Sequence, residues 1–270
     1  MIAQYSSKGM FVLLLLPFCL VGQSKYPDWF LYPQKYQTYI CGYSTADLVP
    51  SIKDAIWRYS LYKDGFLVGR ASYFNDEDRW EKKYYLEANK ELLAPDILTK
   101  LDRIPTSIYR GGEEIALYTL KKNHDSNIFK SELILPSRKK PEWLARGPFF
   151  ESDGYYYSIG DYVLRGNEND AWRETEERGI RNLASAIGVT IEHTLNTVEP
   201  KKVSGVKSDI ATENIEILTY IYDHHFTGIE IIERWLFFPE SDPDANLQAY
   251  TYVLMRIPID NIKYNYQSTK

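Results

Sequence analysis

The chain is 270 residues long, 44% hydrophobic and 26% charged, with a mean hydropathy of −0.40. That balance belongs to a globular chain and excludes a disordered, collagen-like or polytopic membrane protein. With 32 basic against 37 acidic residues the net charge is −5, so the basic footprint that nucleic acid requires is missing.

Residues 1–22 read as an export signal. A short polar start with Lys8 precedes an apolar run from Met10 to Gly22. That run is too short to cross roughly 30 Å of hydrocarbon as a helix but suits the apolar region of a secretory signal. Cleavage after Gly22 is expected, which places the protein in the periplasm, at the outer membrane or outside the cell, and not as an integral membrane protein. Cys19 follows Leu16-Pro17-Phe18 and resembles the Leu-x-x-Cys of a bacterial lipoprotein signal, with bulky Phe18 where that signal wants a small residue. Loss of Cys19 with the signal leaves Cys41 alone, which precludes an internal disulfide and reads as a buried thiol.

In the first half, residues 23–136, a strand at 37–44 leads to a helix near 46–63 and a strand at 65–75. A helix over about 78–94 follows, then strands at 106–110 and 114–121 around Gly111-Gly112, a strong hairpin signal, and a further strand at 128–135. Pro136 to Pro141 reads as an exposed linker. In the second half, residues 137–270, an aromatic strand precedes a helix running to about Ile187, capped by Asn167 or Asn169. Its apolar stripe is Ala171, Thr175, Gly179, Leu183 and Ile187, flanked by Trp172, Ile180 and Ala184. Gly188 is expected to stop this helix, with Val189, Ile191 and Leu195 alternating as a strand and a shorter helix over 207–220. Two closing strands run from Gly228 to Phe238, with Ile229, Ile231, Trp235 and Phe237 on one face, and from Ala249 to Ile257.

The two halves share a rhythm. Pro27-Asp28-Trp29 precedes an aromatic strand ending Cys41-Gly42-Tyr43, and Pro141-Glu142-Trp143 precedes Tyr155 to Tyr162 with Gly160 inside it. A period this long implies duplicated domains rather than a solenoid. The expected fold is α+β: two tandem small domains, each a mostly antiparallel sheet with helices on one face, and each able to fold alone.

These residues resemble the LPP20 family of bacterial envelope lipoproteins and the related domains of flagellar assembly proteins. The resemblance rests on Pro141-Glu142-Trp143, on Tyr156-Tyr157-Ser158-Ile159-Gly160, and on Ala171 with Leu183-Ala184 in the helix. The closing strands Gly228-Ile229-Glu230 to Trp235 and Tyr252-Val253-Leu254 complete it. Thr175 and Gly179 stand where the family has alanine. The resemblance implies a structural or interaction role in the envelope and carries across no catalytic residue.

Nor do the residues themselves point to chemistry. Zinc-protease, nucleophile-elbow, dinucleotide and phosphate-loop motifs are absent. Asp242-x-Asp244-x-Asn246 begins like a calcium loop but lacks its glycine, with Leu247 there, and its final glutamate, with Val253 there. Asp223-His224-His225 on a strand would point neighbouring imidazoles to opposite faces, and His193 reads as a core or edge residue. Glu174, Glu176 and Glu177, among Arg173, Arg178 and Arg181, read as a solvated, ion-paired helix face. No catalytic, cofactor-binding or metal-ligating residue is therefore assigned. The reading is an exported, non-enzymatic cell-envelope protein with a protein partner; the alternatives are a glycan or small-molecule binding module with its ligand between the halves, and a carboxylate-based hydrolase.

Overall fold

Both halves open on a proline that locks extended backbone ahead of a single helical turn. Pro27 (φ −61°, ψ 144°) precedes α1, Asp28–Leu31, and Pro141 (φ −62°, ψ 143°) precedes a 3-10 turn over Glu142–Ala145. The computed structural model describes residues 25–36, 39–44, 50–63, 65–74, 79–88, 101–110, 113–120, 132–165, 167–198, 216–238 and 248–262. The signal over 1–22 and the acidic run at 242–246 lie outside them.

The first half contributes β1 (Tyr26–Pro27), β2 (Tyr39–Tyr43), α2 (Ser51–Lys63), β3 (Gly65–Phe74), β4 (Arg79–Ala88), β5 (Leu101–Arg110), β6 (Glu113–Leu120) and β7 (Leu133–Ile134). The second contributes β8 (Phe149–Ser152), β9 (Tyr155–Val163), α3 (Glu168–Val198), β10 (Glu216–Phe226), β11 (Glu230–Phe237) and β12 (Tyr250–Pro258). The architecture is α+β with antiparallel sheets, as expected.

The repeat is visible in the topology. The first-half sheet runs β2-β6-β5, and the second-half sheet runs β9-β12-β11 with β8 added outside β9. In each, the strand before the helix pairs with the last strand, which pairs with the one before it. Helix α2 packs on β2 and β6, and α3 on β9 and β12. Gly42 and Gly160 make this possible. A Cβ at Gly42 would strike the Ser51 carbonyl and lie 2.8 Å from the Ala55 methyl; at Gly160 it would strike the Thr175 carbonyl and lie 2.6 Å from the Gly179 amide. Both obstacles include helix backbone, which cannot rotate away. Gly160→Ala is therefore expected to destabilise by roughly 1–3 kcal/mol or more through overpacking, read as a lower urea midpoint. An unchanged midpoint would mean that the close approach does not exist.

The third sheet joins the halves. β3 and β10, the strands that follow α2 and α3, pair antiparallel in a sheet ordered β10-β3-β4. Helices α2 and α3 both touch β4 of this sheet. The two large apolar clusters each draw on both halves. One combines Leu61, Leu67 and Leu86 with Leu183, Val253 and Met255; the other combines Phe30, Tyr43 and Ile104 with Trp172 and Leu236. Trp172 lies edge-on to Tyr26 at 5.8 Å and to Phe30 at 5.3 Å. The stretch around the 136/137 boundary is largely exposed coil, but Ser137 accepts a bond from the Trp235 indole at 2.6 Å.

Four local expectations change. Residues 79–88 form a strand where a helix was expected: their Glu/Lys-rich run favours helix intrinsically, but β4 pairs with β3 in unbroken register from Gly65↔Ala88 to Phe74↔Arg79. Helix α3 continues through Gly188 to Val198; a single internal glycine costs only about 1 kcal/mol, which an established helix tolerates as it propagates. The end of the expected 207–220 helix is strand, since β10 begins at Glu216. Finally, a register shift between Ile231 and Glu233 flips the phase of β11. Ile231 packs on the cluster beneath α3, whereas Trp235 lies on the far face, 5.4 Å from the Tyr252 ring. Ala171, Trp172, Thr175, Ile180, Leu183, Ala184 and Ile187 are all buried, as the stripe predicts.

Candidate functional site

The seam between the halves holds the densest concentration of chemistry. Glu176 lies on α3 one turn after Trp172 and one turn before Ile180, on the same buried row, and is wholly inaccessible. Its expected place on a solvated face is thus corrected. Glu174 and Glu177 behave as expected, sharing Arg173 at 3.3 and 3.0 Å at the half-exposed surface, where such pairs contribute little.

Five donors from four side chains converge on the Glu176 carboxylate. The Tyr43 hydroxyl donates to Oε1, as do Arg234 Nε at 3.0 Å and Nη2 at 2.5 Å. Oε2 accepts from Arg58 Nη1 at 2.5 Å and from the Tyr62 hydroxyl at 3.4 Å. Arg58 Nε also reaches Asp54 Oδ2 at 2.7 Å, one turn back on α2, and Asp54 accepts the Tyr43 amide at 2.8 Å. Arg234 Nη1 donates to the Phe30 carbonyl at 2.5 Å, and its guanidinium lies 4.3 Å from the Phe30 ring. Two guanidiniums thus face two carboxylates, a balance that lets charge be buried at all.

Burial acts to raise the Glu176 pKa, but Arg234, Arg58 and the Tyr43 hydroxyl outweigh it and hold the carboxyl below its ordinary range. The same burial pushes the Tyr43 and Tyr62 hydroxyls up. A carboxylate that stays ionised, is saturated with donors and is closed to solvent does not shuttle protons. Its chemistry is to hold α2, α3, β2 and β11 in register. Sequence reasoning also passed over Arg58 and Arg234. Their available signal is placement: Arg234 interrupts the apolar run of β11 between Ile232 and Leu236, and Arg58 stands one turn from Asp54.

Beside this network lies a cavity of about 240 Å³ walled by both halves, among them Ile40 and Cys41 of β2, Tyr62 of α2, and Ile229, Ile231 and Arg234 of the second half. Cys41 is the buried thiol expected, with burial pushing its pKa up to about 11, so that it reacts slowly at neutral pH.

A second feature is aromatic. The face of the second-half sheet turned away from α3 carries Phe150 stacked on Tyr157 at 4.8 Å, Tyr155 at 6.2 Å from Tyr157, and Trp235 and Tyr250 at 5.4 and 6.2 Å from Tyr252. Its small apolar centre of Ile159, Ile232 and Leu254 is packed by the sheet's own Phe150, Tyr157 and Tyr252 and by Trp143 and Leu144 of the preceding turn. Apart from Trp235, these rings are half-buried.

Among the described residues no group of three His, Cys, Asp or Glu side chains could hold a metal, and no helix is long and apolar enough to cross a membrane. The side chains of His193 and of Asp223-His224-His225, on α3 and β10, lie outside the described set. No family model, curated protein or solved structure matches the chain.

Proposed function

We infer that the chain is a non-enzymatic, exported protein of the bacterial cell envelope that docks a protein partner on the aromatic face of its second-half sheet. The observation that carries this reading is the run of half-buried rings from Phe150 and Tyr157 to Tyr252 and Tyr250 on the face opposite α3. Aromatic side chains are the residues enriched at interfaces and among binding hot spots, and these partly exposed rings lie side by side on one sheet face. The apolar run at 10–22 supports export. The LPP20-like motifs at Pro141-Glu142-Trp143 and Tyr156 to Gly160 support an envelope setting and a non-catalytic role. Glu176 fits that role as well, because the most heavily bonded carboxylate in the described structure is sealed from any substrate.

Crosslinking living cells through a tagged chain and identifying what co-purifies tests the reading. One dominant envelope partner is expected, and Tyr157→Ala with Tyr252→Ala should weaken its capture about 30-fold or more, the effect of losing about 2 kcal/mol at a hot spot, while a cooperative thermal transition is retained. An empty capture, or one indifferent to both substitutions, would overturn it.

A further inference from the structure

The cavity at the seam shares none of the rings of the aromatic face, and its walls have a chemistry of their own. The geometry points to a binding site for a small aromatic carboxylate, its ring between Tyr62, Ile229 and Ile231 and its anionic group at Lys63.

Three observations converge. The first is size. A cavity of about 240 Å³ exceeds the ~150 Å³ that holds a benzene ring in an apolar protein interior and falls below the ~300 Å³ at which drug-sized pockets begin. One or two fused rings with a short substituent fill that range. The second is the wall. Ile40, Ile229 and Ile231 supply branched aliphatic surface and Tyr62 a ring, a lining that favours a flat apolar body.

The third is charge. Lys63, Glu230 and Arg234 are the ionised side chains on the wall. Arg234 is engaged by Glu176 at 2.5 Å and Glu230 by Arg256 at 2.8 Å. Lys63 forms no ion pair with any described residue and is exposed at the mouth. The surplus is one positive charge, at the entrance, where an anion keeps part of its hydration while its ring is buried. A neutral sugar would leave that charge unanswered. The site exists only because both halves build it: Lys63 and Tyr62 end α2, and the Tyr62 carbonyl accepts the amides of Gly228 and Ile229 at 2.9 and 3.1 Å, which fixes the second-half wall onto the first.

Titration calorimetry of the Cys19→Ser chain with 2-naphthoate, 2-naphthamide and methyl β-glucoside tests this. Submillimolar binding of 2-naphthoate is expected, with the amide about tenfold weaker. Lys63→Gln should reduce the carboxylate to the level of the amide and leave the amide unchanged. Ile231→Trp, which fills the cavity, should abolish both; should that variant lose its thermal transition, alkylation of Cys41 gives the second readout. Bound 2-naphthoate should slow the reaction of this wall thiol in the otherwise unsubstituted protein. Absence of 2-naphthoate binding at millimolar concentration, equal binding of acid and amide, preference for the glucoside, or an unprotected Cys41 would each overturn the assignment.

Discussion

Glu176→Ala is expected to destabilise the protein by about 3–5 kcal/mol, the effect of leaving buried charges without their counter-ion. Arg58 and Arg234 are each 1% exposed at the side chain, and Glu176 is their shared acceptor. Removal of its carboxylate leaves Asp54 to hold Arg58 alone and the Phe30 carbonyl to hold Arg234. The denaturant midpoint should fall without a change in slope if the native state keeps its compactness. Acid titration gives an independent reading. The folded pKa of Glu176 lies below its ordinary value of about 4.3. Its stabilisation is therefore fully present above that ordinary value and is lost as pH falls through the folded pKa. The arginines stay charged throughout this range and contribute no slope. Glu176→Gln keeps the shape but not the charge, so its stability should be lower at neutral pH and should decline less on acidification than that of the parent. A glutamine variant as stable as the parent at pH 7 would show that the carboxylate is not the fastener described.

Cutting the chain between Ser137 and Lys140 should leave the halves associated, with neither soluble and folded alone. The reason is the ownership of the cores. Leu183, Val253 and Met255 complete a cluster whose other members include Leu61, Leu67 and Leu86, and Trp172 completes the cluster around Phe30 and Tyr43. Separation would expose both, break the pairing of β3 with β10, and strand Arg58 from Glu176. Co-expressed fragments 1–138 and 139–270 should co-purify at equal ratio, and each expressed singly should show no cooperative thermal transition. Two independently folded fragments that ignore each other would return the molecule to two separate domains.

The sequence carried much of this fold and little of its seam. The duplicated Pro-x-Trp openings, the glycine strands and the stripe from Ala171 to Ile187 were legible because each is a local pattern with a local cause: a fixed φ, a close approach, a repeat of four. β4 was not legible, because its Glu/Lys composition favours helix and only the partner strand, β3, overrides it. The bulge at Ile232 was likewise hidden, since a strand pattern read at period 2 assumes an unbroken ladder. Glu176 was misplaced for a different reason. Its neighbours Glu174, Glu177 and Arg173 are surface residues, and the row Trp172, Glu176, Ile180 discloses burial only once α2 and β11 are known to lie over it. A buried charge network is a property of the assembled halves, and so is the cavity beside it.

Both the network and the cavity require that the halves form one cooperative body, and scanning calorimetry of the whole chain tests that claim most directly. A single unfolding transition with equal calorimetric and van't Hoff enthalpies is expected, shifted downward as one peak by Glu176→Ala. Two resolved transitions, with only one of them moved by that substitution, would contradict it.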